Sequence, residues 1–225
     1  MNLSWLIKAG LVIILLLVIW TLYGVFVSMS VPQASYQVLE TLENGVEIRE
    51  YPEEIWATAI AEDENSAFRP LFRYISGENE KGEKIEMTTP VVTPAPPTKT
   101  ESAQGEGEKI EMTTPVVTTN TEKGLSMAFI MPERFDIQTI PRPTSSNVEI
   151  RVIAPRTLAT IKFSGYMKEG NYRENLERLN ETLETRGILT KGEPILMQYS
   201  DPWTPPFYRR NEIALQVAND TVEEK

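Results

Sequence analysis

One stretch of the sequence occurs twice. Residues 148–163 read VEIRVIAPRTLATIKF, and residues 46–61 read VEIREYPEEIWATAIA. The tetrad Val-Glu-Ile-Arg is identical in the two copies, and an Ala-Thr pair begins 11 residues after each first valine, at Ala57 and Ala159. Chance similarity of two amphipathic hairpins is the alternative explanation. The identical tetrad and the equally spaced pair favour duplication, so we predict one fold built from two equivalent halves.

Each copy shows the two-residue period of half-buried strands. Val46 and Ile48 alternate with Glu47 and Arg49, which indicates a strand with one apolar face. The second strand of each copy places every second residue on one face: Ile55, Ala57, Ala59 and Ala61 in the first, and Thr157, Ala159, Ile161 and Phe163 in the other. We therefore predict two strand hairpins, each with a proline-containing turn and each followed by a helix. The space between two such halves is a natural place for a ligand.

The composition excludes several classes of protein. The chain of 225 residues has a formal charge of −10, whereas a nucleic-acid partner needs a basic face that neutralises phosphates. It contains no cysteine and no histidine. That excludes disulfides, thiolate nucleophiles, Ser-His-Asp catalysis, ordinary zinc sites and histidine-ligated haem. An enzyme built from this chain would depend on carboxylates, lysine or tyrosine, and we expect a non-enzymatic protein.

An uncharged apolar run occupies residues 9–27 (AGLVIILLLVIWTLYGVFV). It is long enough to cross a hydrocarbon core of ~30 Å as a helix. A cleaved signal peptide is the alternative, although the apolar core of such a peptide usually has only ~7–15 residues. We predict an uncleaved transmembrane anchor at residues 1–29 and a tether at 30–35. Lys8 is the only charged side chain before Glu40. The N-terminus is therefore expected in the cytoplasm, and the remainder on the outer (periplasmic or extracellular) side.

A second repeat lies in the middle of the chain. The sequence GEKIEMTTPVVT occurs at residues 82–93 and again at 107–118. The Pro/Ser/Thr-rich stretch between them, residues 94–106, predicts a loop. Each copy predicts a short strand with a proline bend, so an edge or a bulge is expected at Pro90 and Pro115. We expect the second copy to pair with residues 127–131 and the first to extend that sheet or lie over it.

Apolar spacing predicts two helices. In the first, Phe68, Leu71, Phe72 and Ile75 fall at i, i+3, i+4 and i+7, which gives one apolar face. Because proline is tolerated in the first turn, Pro70 predicts a start near Ser66, and Gly77 predicts the end.

The second helix is predicted at residues 171–186. Asn171 is its expected N-cap and Gly187 its expected terminator, and one face carries Tyr172, Leu176, Leu179 and Leu183. Strands are predicted at 194–199 and 212–217, on either side of a rigid aromatic loop at 201–208.

Four segments of the sequence together resemble the SOUL haem-binding protein family. They are FRPLFRYISG (68–77), KIEMTTPV (84–91), FIMP (129–132) and PPFYRRNE (205–212). The resemblance covers a domain at residues 36–218 and leaves a polar tail at 219–225. It implies an α+β fold, a distorted antiparallel β-barrel with two helices built from two similar halves related by a pseudo-twofold axis. Membrane-anchored bacterial members resemble this chain in repeating the Met-Thr-x-Pro-Val strand.

The resemblance implies that the chain binds haem or another tetrapyrrole. A porphyrin is a flat apolar plate with two carboxylates, so it needs an apolar cleft with cations at the mouth. The candidate residues lie on the first helix and in the late loop: Phe68, Leu71, Phe72, Arg73, Ile75, Trp203, Phe207, Tyr208, Arg209 and Arg210. Without histidine, methionine and tyrosine are the remaining side-chain ligands for iron. We therefore expect binding mainly through apolar contact.

Three functions compete at this point. The first is a membrane-tethered tetrapyrrole-binding module. The second is a module of the same fold that binds another amphipathic ligand or a protein partner, with no haem. The third, a carboxylate-based hydrolase using Glu47, Glu149 or Glu212, has the least support, because no spacing pairs these glutamates.

Overall fold

A computed structural model of the chain describes residues 3–30, 33–94, 120–121, 124–200 and 203–218. The helices in these ranges are α1 (Leu3–Ser30), α2 (Glu64–Ile75) and α3 (Glu169–Thr185). The strands are β1 (Gln37–Thr41), β2 (Val46–Tyr51), β3 (Glu54–Ala61), β4 (Thr88–Pro94), β5 (Asn120–Thr121), β6 (Gly124–Ile130), β7 (Glu149–Ile153), β8 (Arg156–Phe163), β9 (Thr190–Gln198) and β10 (Asn211–Val217). The predicted loop beyond Pro94, the second Met-Thr-Thr-Pro copy and the predicted tail lie outside the described residues.

The strands form one antiparallel sheet, and the α+β class is confirmed. Their order is β1-β2-β8-β10-β9-β4-β6-β3-β7, with β5 paired to β6 at the side. When β1 is set aside, the order has a regular pattern. Counted inward from one end, the strands are β2, β8, β10 and β9. Counted inward from the other end, they are β7, β3, β6 and β4, and the two sets correspond in that order.

The two strands of each repeat do not form a hairpin with one another, so that prediction was wrong. Instead β2 pairs with β8, and β7 pairs with β3. Ile48 lies opposite Ala159, and Ile150 lies opposite Ala57, so both copies use the same register. A two-residue hairpin turn needs positive φ. Pro52 and Pro155 lie in the two short connections, where proline fixes φ near −65° and directs the chain to another part of the sheet.

Each of α2 and α3 covers its own part of the sheet. Ala67, Leu71, Tyr74 and Ile75 of α2 are buried against β3 and β6. Tyr172, Leu179 and Leu183 of α3 are buried against β2, β8 and β10. Residues on the opposite face of the strands, such as Leu158 next to Ala159, form a third cluster with Tyr51 and Met197.

Both helices begin earlier than predicted, whereas each ends just before its predicted glycine, Gly77 or Gly187. Helix α2 begins at Glu64 with Asp63 as N-cap, where the Ser66 amide donates to the Asp63 carboxylate at 3.0 Å. Pro70 therefore lies in the second turn. Proline at this position leaves the Ser66 carbonyl without its helical N–H donor. Because Ser66 is exposed, water can take the place of that donor. Helix α3 is preceded by Lys168, because the Asn171 side chain donates instead to the carbonyls of Ser164 and Tyr166.

The first Met-Thr-Thr-Pro copy forms β4 and pairs with β6. Val91 lies opposite Phe129 of β6 and opposite Gln198 of β9, so β4 is a central strand. The register shifts between Thr88 and Val91, which confirms the irregularity predicted at Pro90. A proline inside a central strand requires such a break because it cannot donate to the ladder.

Helix α1 is long and apolar enough to cross a membrane. Its segment Ile7–Gly24 is strongly apolar and almost entirely exposed in the structure. A signal sequence near an N-terminus can have the same length and composition.

Candidate functional site

Helix α2 divides the predicted site residues into buried and exposed ones. Leu71 and Ile75 point into the core, where their side chains hold the helix on the sheet. Phe68 is partly buried against that core, and Phe72 is 48% exposed. The helical period explains why some of these residues are buried and others are not. Residues 68 and 72 are four positions apart, so they lie on one stripe of the helix, which runs along the edge of the buried face.

The exposed stripe carries a stacked aromatic pair. The ring centroids of Phe68 and Phe72 are 5.6 Å apart with 17° between the planes, and Phe68 meets Phe129 edge-on at 5.5 Å. Arg73 follows Phe72 directly, is 57% exposed, and lies 3.7 Å from the carboxylate of Glu78. The α2 edge therefore presents a flat apolar surface beside a solvated guanidinium.

The late loop lies in different surroundings. Trp203, Phe207 and Tyr208 are exposed, and the indole N–H of Trp20 in α1 donates to the Trp203 carbonyl at 2.7 Å. The Gly165 amide before α3 donates to the Pro206 carbonyl at 2.9 Å. The late-loop aromatics thus lie beside the apolar helix and the turn that leads to α3, whereas Phe68 and Phe72 lie over β3 and β6.

Two successive arginines at the end of this loop have different roles. Arg209 donates to the Thr204 carbonyl at 3.0 Å and lies 4.6 Å above the Tyr166 ring, so it helps to fix the loop. Arg210 turns inward and pairs with Glu212 at 2.7 Å. Its guanidinium lies 3.9 Å from the centre of the Tyr199 ring.

Glu212 is the centre of a buried polar network. Its side chain is fully buried and pairs with Arg49 at 2.7 Å as well as with Arg210. It also accepts a hydrogen bond from the Tyr199 hydroxyl at 2.9 Å. Burial raises the pKa of Tyr199 well above its ordinary value, and the charge of Glu212 adds to that rise. For Arg49, burial lowers the pKa, but the hydrogen bonds and charge of Glu212 more than offset this, so its pKa is raised. These charges serve the fold, since they are satisfied inside it.

A cavity that the sequence did not predict lies between the tether and the sheet. Its volume is about 550 Å³, within the usual range for a small-molecule site. The apolar part of the wall includes Ile55, Ile130, Phe135 and Val152. Among the described residues that line the cavity there is neither lysine nor arginine, but there are five carboxylates: Glu53, Glu54, Glu86, Glu133 and Asp136. The lining comes from five separated segments of the chain, so no local motif could indicate it.

The comparisons with known proteins agree with the resemblance seen in the sequence. A family model described as SOUL heme-binding protein matches residues 31–105 and 100–216, and each match contains one copy of the Met-Thr-Thr-Pro strand. Heme-binding protein 1 of Mus musculus is 27% identical over 162 residues, which is 72% of this chain and 75% of that protein. Heme-binding protein 1 of Sus scrofa is 27% identical over 150 residues, 66% of this chain and 68% of that protein.

A solved structure shares the fold. The protein in the EcmrR–DNA complex superposes with a TM-score of 0.50 at 16% identity, over 81% of this chain and 57% of that chain. At such low identity the likeness concerns the arrangement of strands and helices alone.

Proposed function

Because the chain belongs to the SOUL haem-binding family, we propose that it is a membrane-tethered, non-catalytic module that binds haem or another tetrapyrrole without a histidine ligand. Family membership supports a haem-binding role. The single observation that carries the proposal in this chain is the stack of the exposed Phe72 ring on the partly buried Phe68 ring, with the exposed Arg73 next in the helix. An aromatic pair of this kind offers a face to a flat macrocycle.

The residues of the α2 edge fit the chemistry of a tetrapyrrole. Phe72 would contact the macrocycle, with Phe68 fixed behind it by Phe129. Arg73, and Arg69 one turn earlier on the same side, would bind the propionates through charge-assisted hydrogen bonds. Leu71 and Ile75 would act indirectly, by holding α2 on the sheet. The late-loop residues remain a separate prediction for tetrapyrrole contact.

The cavity beside the tether is a poor site for haem. Its five carboxylates would repel propionates, because like charges at short range raise the free energy of binding.

Haem supplies iron, and with it redox capacity, when it is bound. The chain has no histidine or cysteine to ligate that iron. The described residues also contain no group of three acidic side chains placed to hold a metal.

A second proposal concerns the symmetry of the fold. We propose that the two sets of strands are halves related by a pseudo-twofold axis and that the sheet curves into a distorted barrel. The corresponding strand orders and the shared register of the repeated tetrads support this.

Hemin titration of the full chain in nanodiscs tests the site. We expect a saturable Soret change at micromolar hemin. Phe72→Ala should weaken binding by about 3–10-fold, since an aromatic contact contributes about 0.5–1.5 kcal/mol. Arg73→Ala should weaken it by about tenfold or more through the loss of a charged hydrogen bond. Leu189→Ala, an exposed apolar residue outside both candidate surfaces, is the control and should have no effect. Phe207→Ala, an exposed aromatic in the late loop, tests the late-loop prediction separately. An equal loss of hemin affinity in Phe207→Ala and Phe72→Ala would show that the site is not confined to the α2 edge. A Soret change that does not saturate would reject haem as the ligand.

The membrane proposal rests on α1 and its neighbours. The exposed Trp203 accepts a hydrogen bond from Trp20 of the apolar helix, and the exposed Tyr208 belongs to the same loop. Trp and Tyr favour the membrane–water interface. We propose that α1 crosses the bilayer with its N-terminus in the cytoplasm, that the domain lies on the outer side, and that the late loop faces the membrane surface.

Cysteine labelling tests this topology directly, because the chain contains no cysteine of its own. In intact cells, an impermeant maleimide should label Glu62→Cys, an exposed position before α2. Ser4→Cys, on the other side of the apolar run, should be labelled only after permeabilisation. The reverse pattern would show the opposite orientation. Release of the domain from membranes by salt alone would show that α1 does not anchor it.

The alternative function is a SOUL-fold module for another amphipathic ligand or a protein partner, with no haem. The cavity beside the tether, which has apolar residues and five carboxylates in its lining, is the observation that favours this alternative.

A further inference from the structure

The cavity beside the tether contains two polar side chains that the fold leaves incompletely satisfied. Glu54 is 7% exposed and lies in the cavity wall. Its Oε2 accepts hydrogen bonds from Arg156 at 2.6 Å and from the Trp56 indole at 2.9 Å, whereas its Oε1 is buried without a hydrogen-bond partner. The hydroxyl of Thr88, also in the wall, is likewise buried and unpartnered. Buried polar atoms of this kind are uncommon, and an unsatisfied one costs about 1–3 kcal/mol.

The charge at the cavity mouth is negative. Glu54 is paired with Arg156, and Glu86 is paired with Arg134 at 3.1 Å. Glu53, Glu133 and Asp136 remain at the rim as exposed carboxylates. Amides of the following turn donate to Asp136, and this lowers the pKa of its carboxyl group, so it keeps its charge near neutral pH. The rim therefore attracts cations and repels anions.

We infer that this cavity binds an amphipathic organic cation, namely an apolar or aromatic body carrying a protonated amine. The apolar body would pack against Ile55, Ile130, Phe135 and Val152. The ammonium N–H groups would donate to Glu54 Oε1 and to the Thr88 hydroxyl, which satisfies both buried oxygens. A metal ion is a poorer match because the wall is largely apolar.

The position of the cavity relates it to the membrane. Gln33, Ala34 and Ser35, which follow α1 closely in the chain, form one wall. The Ala34 amide donates to the Thr89 carbonyl at 2.7 Å, so this wall is held next to Thr88. Amphipathic amines partition into bilayer surfaces, and a ligand concentrated there would meet the cavity beside the anchor.

Three naphthalene ligands of nearly equal shape test the inference: naphthylmethylammonium, naphthylmethanol and naphthoate. Each is titrated by fluorescence anisotropy into the full chain in phosphatidylcholine nanodiscs, with empty nanodiscs subtracted. The ammonium should bind saturably, about tenfold or more tighter than the alcohol, since a hydrogen bond to a charged group is the stronger kind. The naphthoate should not bind. Equal binding of ammonium and alcohol, or no uptake above empty nanodiscs, would overturn the inference.

Two variants locate the site independently of each other. Glu54→Gln should weaken ammonium binding about tenfold while leaving alcohol binding unchanged. Val152→Trp fills the mouth from an exposed position on β7 whose cross-strand partner is Ile55 and not Glu54, so it should abolish binding of both. Val38→Trp, an equally exposed valine on β1 outside the cavity, is its control and should bind normally. An unchanged affinity in Val152→Trp would reject the site.

This inference does not depend on the haem proposal. Hemin affinity should be the same in Val152→Trp as in the wild type, and hemin should not compete with the ammonium ligand. Competition would place both ligands in one site and overturn the assignment of the cavity to cations.

Discussion

Replacing Arg49 by alanine is expected to lower the free energy of unfolding by about 3 kcal/mol or more, because it removes one member of a buried ion pair. The Arg49 side chain is 3% exposed and lies 2.7 Å from Glu212. It also covers the Tyr36 ring at 4.2 Å. Without Arg49, the buried carboxylate of Glu212 keeps only Arg210 and Tyr199 as partners. Urea unfolding followed by circular dichroism measures the change.

The sequence repeat supplies the matched control. Arg151 occupies the same place in the second Val-Glu-Ile-Arg tetrad, but its side chain is 48% exposed and pairs with the exposed Glu149. Exposed pairs contribute only about 0–1 kcal/mol, so Arg151→Ala should leave the free energy of unfolding nearly unchanged. Glu212→Gln should destabilise at least as much as Arg49→Ala, since it leaves the buried guanidinium of Arg49 and the partly buried one of Arg210 with a neutral partner. Equal effects at Arg49 and Arg151 would contradict the network.

The second large effect is a loss of stability in alkali. Burial is the largest cause that raises the pKa values of Tyr51, Tyr74 and Tyr172, each to about 12, whereas an unfolded tyrosine titrates near 10. Between these values the native state binds more protons than the unfolded state, so stability falls as pH rises. The stabilisation is complete below about pH 10 and is lost towards about pH 12. Each residue accounts for about 2–3 kcal/mol at most.

Urea unfolding at a series of pH values from about 9 to 12 measures this loss. The absence of cysteine removes thiol chemistry as a complication in alkali. Tyr172→Phe keeps the buried ring but has no proton to lose, so its free energy of unfolding should decline less steeply with pH than that of the wild type. A wild-type value that stays constant between about pH 10 and 11, or an unchanged slope in Tyr172→Phe, would refute the expectation.

Periodicity and repetition predicted much of the fold. The apolar faces of α2 and α3, their glycine terminators and the main strands follow from local patterns, since each depends on residues close in sequence. The pairing of the first strand of each repeat with the second strand of the other did not follow. Alternation shows which face of a strand is buried but does not identify the neighbouring strand. The Met-Thr-Thr-Pro strand illustrates the same limit, because its sequence does not indicate that the copy at residues 82–93 lies between β6 and β9.

The candidate sites show the same division. The spacing of Phe68 and Phe72 indicated an aromatic stripe, but the stripe alone could not distinguish core residues from surface residues. The cavity had no signal in the sequence, since its wall combines segments from residue 33 to residue 152.

By itself, the sequence determined the α+β class, the two helical faces, the family and the apolar N-terminal helix. The tertiary structure decided that Arg49 is buried and Arg151 exposed, although both follow the same three residues. The reason is that Glu212, Tyr199 and Tyr36 surround only the first of them, and the environment of a charge depends on residues far apart in the chain.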